Sequence, residues 1–229
     1  MSWLKDFISL VYPRLCLACG ESLLKHEDCI CSQCIYYLPK TNFHKELENA
    51  VSKLFWGRVN IQTATAFYFF KKQSKVQNLL HQLKYKGQKQ VGIKLGSLYG
   101  SELKKDKKYE DVSLILPVPL HPDKEKKRGY NQSEMFGIGL SQTMQAPCET
   151  DILVRNFASE TQTKKSKYER WENVGSIFEI RDIERLKGRH VLLVDDVITT
   201  GATIEACAQH LLTVPGTRVS IAAIACSLN

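Results

Sequence analysis

The stretch His190-Val-Leu-Leu-Val-Asp-Asp-Val-Ile-Thr-Thr-Gly-Ala-Thr203 is the most informative part of this chain. It begins with a continuous apolar run, residues 191–194, which is typical of a parallel strand covered on both faces. Two adjacent carboxylates, Asp195 and Asp196, follow the run, and a helix is predicted from Ile204 to Leu212. Because ligands of open α/β sheets bind at the carboxyl ends of strands, the two acids are predicted to face a ligand.

The turn between the acids and the helix, Thr199-Thr200-Gly201-Ala202-Thr203, has the composition of a phosphate site. Gly201 lets the backbone approach a ligand closely, and the helix offers unpaired N–H groups at the positive end of its dipole. A phosphate held there would place both carboxylates level with sugar hydroxyl groups or a Mg²⁺ ion. A simple helix cap needs one acid and does not explain the pair. No Gly-Lys-Ser/Thr follows, which excludes a Walker-type loop, and a dinucleotide fingerprint is absent.

This motif resembles the phosphoribosyl pyrophosphate (PRPP) motif of type I phosphoribosyltransferases, and the chain is similar to the ComF/GntX-like family of competence-associated proteins. The resemblance runs from about Pro13 to Ser227. It implies an α/β fold, a parallel sheet flanked by helices, with a small N-terminal zinc module and a hood region. The other segments that carry the resemblance are Leu83-Lys-Tyr-Lys-Gly-Gln88, Pro117-Val-Pro-Leu-His-Pro122, Arg128-Gly-Tyr-Asn-Gln-Ser-Glu134, and Thr161-Gln-Thr163 with Arg170 and Asn173.

The resemblance also implies roles for individual residues. Asp195 and Asp196 would steady the ribose and hold Mg²⁺, directly or through water, and Arg128 would bind the departing pyrophosphate. These three are therefore the expected catalytic residues. The substrate-binding residues would be those that follow the acids in the motif, namely Val197, Thr199, Thr200, Gly201, Ala202 and Thr203.

Two further segments are predicted to contact the ligand. The first, Pro117 to Tyr130, is interpreted as a loop in the place of the pyrophosphate-binding loop, and its cations would neutralise a leaving pyrophosphate. The second, residues 156–173, is polar and lacks apolar periodicity, and it resembles the flexible loop that closes over PRPP. An ordinary surface hairpin is the alternative there. The ligand contacts expected from this second loop are Thr161, Gln162, Thr163 and Arg170.

The chain contains eight cysteines, which in a cytoplasmic protein suggest a metal before disulfides. Two Cys-x2-Cys pairs, separated by eleven residues, can close a tetrahedral zinc site. Such a site has no open position, so the zinc is predicted to be structural. Cys29 and His26 are alternative ligands for the second pair. The predicted zinc ligands are Cys16, Cys19, Cys31 and Cys34.

Composition and charge limit the remaining possibilities. The 229 residues carry a formal charge of +8 and are 43% hydrophobic, which is typical of a packed globular protein. No run approaches the roughly 20 apolar residues of a membrane span, and residues 3–12 lack the features of a signal peptide. We therefore expect a cytoplasmic protein without membrane insertion. Residues 71–94 contain seven lysines and no acid, and they form either a solvated helix face that attracts phosphate or a nucleic-acid surface.

Hydrophobic periodicity predicts strands that alternate with helices, as in a parallel α/β sheet. Besides the strand before the acids, predicted strands cover 61–70, 113–116, 152–154, 176–180 and 219–225. Helices are predicted around 76–83, around 91–98 and from about 131 to 144. Residues 1–50 are predicted to form the zinc-binding module and 51–229 the transferase-like domain, within which 51–89 would be the hood.

Two functions follow from these observations. In the first, the protein is an enzyme that transfers phosphoribosyl from PRPP to an unidentified acceptor and releases pyrophosphate. In the second, it is an accessory protein of natural transformation, a role that the family resemblance implies. It would bind single-stranded DNA or other competence proteins and use the PRPP pocket as a sensor. The presence of both acids and all the turn hydroxyls favours the enzyme.

Overall fold

The computed structural model describes residues 13–156 and 177–227. Within them, six strands share two sheets. The strands are β1 (Thr63–Phe69), β2 (Leu114–Pro117), β3 (Leu153–Arg155), β4 (Phe178–Ile180), β5 (His190–Ile198) and β6 (Arg218–Cys226). The central sheet has the order β1-β6-β5-β2 and all its pairs are parallel, whereas β3 and β4 form a separate antiparallel pair. The predicted α/β fold with a parallel sheet is confirmed.

Helices lie on both faces of the central sheet, as parallel strands require. In the described residues they are α1 (Ser32–Tyr37), α2 (Ala50–Lys53), α3 (Lys75–Tyr85), α4 (Lys89–Leu103), α5 (Pro122–Arg128), α6 (Gln132–Met144) and α7 (Ala202–Leu211). Two short 3₁₀ turns, Phe43–Lys45 and Lys107–Tyr109, connect them. None of these helices is both long and apolar enough to cross a membrane.

Strand β5 lies inside the sheet and separates two apolar cores. Its side chains alternate between the two faces, because successive residues of a strand point in opposite directions. Leu192 and Val194 pack into a core with α3, α4 and α6, while Val191 and Leu193 pack into a core with α7. The strand continues past the predicted apolar run to Ile198, so the two aspartates belong to the strand itself.

Helices α4 and α6 are in backbone contact through glycines. A Cβ atom on Gly96 would lie 2.2 Å from the Phe136 carbonyl oxygen, and one on Gly139 would lie 2.1 Å from the Ile93 carbonyl oxygen. Only glycine allows so close an approach. Because α6 also packs against β5 and β2, this contact fixes the first turn of α6 beside the carboxyl end of β5.

The segment predicted as a loop from Pro117 to Tyr130 contains helix α5, and that prediction was wrong for residues 122–128. The helix signals were present in the sequence. Pro122 occupies the first turn, His121 accepts a hydrogen bond from the Asp123 N–H, and Gly129 ends the helix with a φ of 78°. The three cations of the last turn suit the negative end of the helix dipole.

The predicted zinc module and hood both contribute to the main structure. The hood range, 51–89, includes β1, an outer strand of the central sheet, and α3. Residues 39–41, within the predicted module, pair with β1, since the Thr41 N–H donates to the Phe67 carbonyl and the Phe69 N–H to the Pro39 carbonyl. The domain boundaries at 50 and 89 stay predictions.

Candidate functional site

Asp195 and Asp196 lie near the carboxyl end of β5, where the strand leaves the core. Asp195 accepts two hydrogen bonds at Oδ1, from the Ser133 hydroxyl at 2.8 Å and from the Asp196 backbone N–H at 2.8 Å. Burial, and then the charge of Asp196, raises the pKa of Asp195 to about 7. Because ionisation of this carboxyl group is unfavourable in the free protein, a bound cation would stabilise its charged form.

Asp196 has a different kind of partner, the ammonium group of Lys84. The distance from Lys84 Nζ to Asp196 Oδ1 is 2.8 Å, and the two side chains are 23% and 14% exposed. Lys84 lies in the last turn of α3, on the helix that follows β1. The two acids therefore differ, because uncharged donors orient Asp195 and a cation from another element neutralises Asp196.

The turn after β5 leads directly into α7. Gly201 adopts a left-handed φ of 76°, and a Cβ there would lie 3.0 Å from the Phe55 ring, so the position requires glycine. Gly201 is the N-cap of α7 and has no side chain to cap the helix, while the Ala202 N–H makes a long hydrogen bond of 3.5 Å to the Thr200 hydroxyl. Thr199, Thr200, Ala202 and Thr203 are exposed. The first N–H groups of α7 are therefore accessible next to the acids, in an arrangement that suits an anion.

Arg58 holds this turn from the other side. Its Nη1 donates to the Thr200 carbonyl at 3.4 Å and to the Leu54 carbonyl at 3.0 Å, and its Nη2 pairs with Glu205 in the first turn of α7. The pairing neutralises the only acid in that first turn. Arg58 thus keeps the positive end of α7 free of a competing negative charge.

The segment Arg128 to Glu134 connects α5 to the two acids. Arg128 pairs with the Gln132 side chain and lies over the Tyr85 ring at 5.4 Å, and it forms no ion pair with either aspartate. Asn131 caps α6 and donates to the Val118 carbonyl at 2.9 Å. The next turn then presents Ser133 to Asp195. Arg128 thus contacts Gln132, the residue before Ser133, which contacts the acid.

A cavity of about 390 Å³ opens between α3 and the carboxyl end of β5. Helix α3 contributes His81, Lys84 and Tyr85 to its wall, and β5 with its turn contributes Asp196, Val197 and Thr199. The cavity therefore adjoins Asp196 and the first residue of the turn that precedes α7, and it has room for part of a small ligand.

The four predicted zinc ligands come together at the N-terminal end of the chain. Their sulfur atoms all lie within 4.8 Å of one another, and the ligands are Cys16, Cys19, Cys31 and Cys34. A tetrahedral zinc with four sulfur ligands requires sulfur–sulfur distances of about 3.8 Å, and Cys19 Sγ lies 3.8 Å from Cys31 Sγ. The cluster therefore fits zinc in both ligand type and spacing.

Backbone donors support the cluster. Burial alone would raise the pKa of Cys16, but the N–H groups of Cys31, Cys19 and Ala18 point at its sulfur and lower this pKa to about 7. Cys29 points away, with its sulfur 3.8 Å from the Gln90 carbonyl oxygen, and burial raises its pKa to about 11. Neither Cys29 nor His26 belongs to the described cluster of four sulfur atoms.

The cysteine cluster packs directly on α3 and α4. Its buried cysteines share one apolar core with Val76, Leu79 and Leu83. The Asn78 side chain donates to the Ala18 carbonyl at 3.0 Å, and Lys94 pairs with Asp28 at 3.2 Å. The zinc-ligand segment is thus a structural support for the helix that carries Lys84.

Four predicted substrate contacts lie outside the described residues, namely Thr161, Gln162, Thr163 and Arg170. The strands on either side, β3 and β4, pair with each other, and the Asn156 N–H donates to the Ile177 carbonyl at 2.9 Å. The described residues Asn156 and Ile177 therefore lie side by side.

Lys84, Ser133 and Arg58 are site residues that the sequence alone did not indicate. Lys84 and Ser133 stand in segments that carry the family resemblance, and this was the available signal. Their partners are 112 and 62 residues away in sequence, so no local pattern predicts the contacts. Arg58 carries no signal of its own, because an exposed arginine after a short helix is unremarkable in a sequence.

Comparisons with known proteins agree with this geometry. The family described as "Phosphoribosyl transferase domain" matches residues 110–227, just over half of the chain. The "DNA utilization protein YhgH" of Escherichia coli (strain K12) is 28% identical over 209 residues, which cover 90% of this chain and 87% of that protein. "Competence protein F" of Haemophilus influenzae is 30% identical over 137 residues, which cover 58% of this chain and 60% of that protein. "Competence protein ComFC" of Bacillus subtilis is 24% identical over 213 residues, which cover 93% of this chain and 83% of that protein. The chain therefore belongs to the phosphoribosyl transferase domain family, and within it to the ComF-like proteins.

Proposed function

We propose that the protein is an enzyme that binds PRPP with Mg²⁺ and transfers its phosphoribosyl group to an acceptor, with release of pyrophosphate. One observation carries the proposal. Two acids at the end of β5, one of them with a pKa raised to about 7, precede the N-terminus of α7, where the N-cap residue Gly201 provides no side-chain cap. This arrangement supports the proposal, because a cation, a sugar and a phosphate could bind there side by side.

The donor sets suit the two metals that the proposal names. Carboxylate oxygens are ligands that Mg²⁺ prefers, and Asp195 and Asp196 offer them at one edge of the sheet. The four cysteines suit a structural zinc instead, since they leave no coordination position for a substrate. When bound, Mg²⁺ would neutralise charge on the pyrophosphate group.

The residues of the chain would position the sugar phosphate. The N–H groups at the start of α7 and the hydroxyls of Thr199, Thr200 and Thr203 would bind the 5′-phosphate. Asp195 and Asp196 would accept hydrogen bonds from the ribose hydroxyls and favour positive charge on the ring. Val197 would pack against the sugar. Thr161, Gln162, Thr163 and Arg170 stay predicted ligand contacts.

The transfer itself breaks one bond and forms one. The bond from the anomeric carbon to pyrophosphate breaks, and its electron pair leaves with the pyrophosphate oxygen. The acceptor forms a new bond to the same carbon from the opposite face and loses a proton. Arg128 would pair with the leaving phosphates by moving from Gln132, because a guanidinium can bind two phosphate oxygens at once.

A binding measurement tests the proposal. In Asp195→Asn with Asp196→Asn, PRPP affinity measured by calorimetry with Mg²⁺ should fall by about 100-fold or more, because both charged ligands of the cation are lost. The matched control is Glu46→Gln with Glu48→Gln, which removes two charges from an exposed surface segment. Unchanged affinity in the aspartate variant, with the control behaving like wild type, would reject the assignment.

A second function, single-stranded DNA binding in natural transformation, is supported by a surface feature. The lysine-rich face of α3 and its flanks has no acid from residue 71 to 94, and Tyr85 is 62% exposed there. Similar proteins are named for DNA utilization and for competence. Aromatic rings beside lysines are typical of single-strand sites. The exposed lysines are Lys71, Lys72, Lys75, Lys86 and Lys89.

Salt dependence tests this second function. Binding of a labelled single strand should weaken steeply as salt rises, and Lys71→Gln with Lys72→Gln and Lys75→Gln should reduce the salt slope by about two to three units. No binding at low salt would exclude DNA as a partner of this face.

A further inference from the structure

The ion pair between Lys84 and Asp196 places a cation of the protein in the site. We propose that Lys84 is a built-in counter-ion that a divalent cation must displace from Asp196, so that Lys84 sets how strongly the site requires its metal-bound substrate. This inference rests on the proposed function, because it assigns a role to a residue that neighbours the proposed magnesium ligands. It concerns a positioning residue that the sequence did not reveal.

The two acids are held in different ways. Asp195 receives a hydroxyl donor and a backbone N–H, both of which are fixed by the fold. Asp196 is paired by a flexible side chain whose nitrogen lies 2.8 Å from Oδ1. An uncharged donor orients a carboxylate without removing its need for a cation, whereas an ammonium group satisfies that need. Lys84 therefore competes with a divalent cation for Asp196, and not for Asp195.

The structure lets the Lys84 side chain move while its backbone stays in place. The Tyr130 hydroxyl donates to the carbonyl of Leu83, the residue before Lys84, and this anchors the end of α3. The side chain beyond the backbone is a four-carbon stem that borders the 390 Å³ cavity. An ammonium group displaced from Asp196 thus has open space beside it, and it needs no change in the helix.

Electrostatics predicts whether removal of the Lys84 charge strengthens or weakens the binding of a divalent cation. Two carboxylates at adjacent positions repel each other, and the positive charge of Lys84 offsets this repulsion in the free protein. A divalent cation at Asp196 provides the same compensation, so the two cations exclude each other. Removal of the ammonium group leaves an unpaired, largely buried carboxylate, which should bind a divalent cation more tightly.

The experiment uses Mn²⁺ as the probe, with no sugar phosphate present. Mn²⁺ is titrated into the zinc-loaded full chain, and free Mn²⁺ is followed by its electron paramagnetic resonance signal. In Lys84→Met the affinity for Mn²⁺ should rise by roughly tenfold, within the usual range of coupling between two ligands of one site. Lys84→Arg keeps the charge and should stay within about twofold of wild type.

Controls assign the effect to Asp196. Lys86→Met removes an exposed lysine of the same segment and should leave the affinity unchanged. Asp196→Asn in the Lys84→Met background should return the affinity to the wild-type value or below. If Lys84→Met does not fold, Lys84→Gln replaces it, because an amide still donates to Asp196 without a positive charge.

The outcomes separate this inference from the proposed function. Unchanged or weaker Mn²⁺ binding in the uncharged Lys84 variants overturns the counter-ion role, even where wild type binds PRPP. Tighter Mn²⁺ binding that depends on Asp196 supports the role. If wild type then fails to bind PRPP with Mg²⁺, the proposed function fails while the counter-ion role stands.

Discussion

The two ends of strand β5 both carry ionisable residues, but these residues differ in their partners. At the amino end, His190 is buried, with Nδ1 2.6 Å from Asp111 Oδ1 and Nε2 2.8 Å from Ser220 Oγ, and Arg218 completes the group by pairing with Asp111 at 2.6 Å. Every charge there has a partner. At the carboxyl end, Asp195 has only uncharged donors and a raised pKa.

This difference indicates that the amino end of β5 has a structural role and the carboxyl end a binding role. The serine, histidine and aspartate at the amino end have the hydrogen-bond order of a hydrolase triad, but Ser220 is completely buried and cannot reach a substrate. That group therefore stabilises the fold. At the carboxyl end, ionisation of Asp195 keeps an electrostatic cost that a bound cation would reduce, which is expected of a binding site.

The largest effect is expected from a substitution that removes the buried histidine at the amino end of β5. His190→Ala should lower the free energy of unfolding by about 2–4 kcal/mol, because it opens a cavity and leaves Asp111 and Ser220 without their buried partner. Denaturant unfolding measures the loss, and calorimetry of the folded variant should show unchanged PRPP affinity. The control is the exposed His26→Ala. A selective loss of PRPP binding with normal stability would contradict the structural role.

The next effect tests the carboxyl end. Asp195→Asn should raise the free energy of unfolding by about 1–3 kcal/mol at pH 8, because the amide keeps the acceptor oxygen for Ser133 and removes both the cost of burying a charge and the repulsion from Asp196. The folded pKa of Asp195 lies above the unfolded value, so wild type loses stability as pH rises from about 4 through 7. The gain should therefore vanish at pH 4. An equal gain at both pH values would show that repulsion is not its cause.

The smallest effect concerns the acid at the amino end. Burial alone would raise the pKa of Asp111, but hydrogen bonds from His190 and Arg218 outweigh it and hold this pKa below its usual range. Because the folded pKa is depressed, the stabilisation is present above about pH 4 and is lost as pH falls through the folded value. Asp111→Asn should therefore destabilise the protein slightly at pH 7, by less than about 1 kcal/mol for so exposed a pair. Thermal unfolding at pH 7 and pH 3 checks it: the difference should shrink at pH 3, and an undiminished difference contradicts the assignment.

The sequence by itself determined the parallel strand before Asp195, the phosphate-like turn around Gly201 and the two cysteine pairs. Each depends on neighbouring residues, and periodicity, turn chemistry and ligand spacing act locally. The signals for helix α5 are also local, with proline and histidine at its start and glycine at its end. The helix was not predicted because its cations were interpreted as part of a pyrophosphate-binding loop.

Only the tertiary structure decided which charges at the site have partners. Lys84 meets Asp196, Ser133 meets Asp195, and Arg58 holds the turn before α7, each across more than 60 residues of chain. The close packing of α4 on α6 and of the cysteine cluster on α3 brings these side chains to one edge of the sheet. Such contacts depend on the relative positions of whole elements, which no short stretch of sequence encodes.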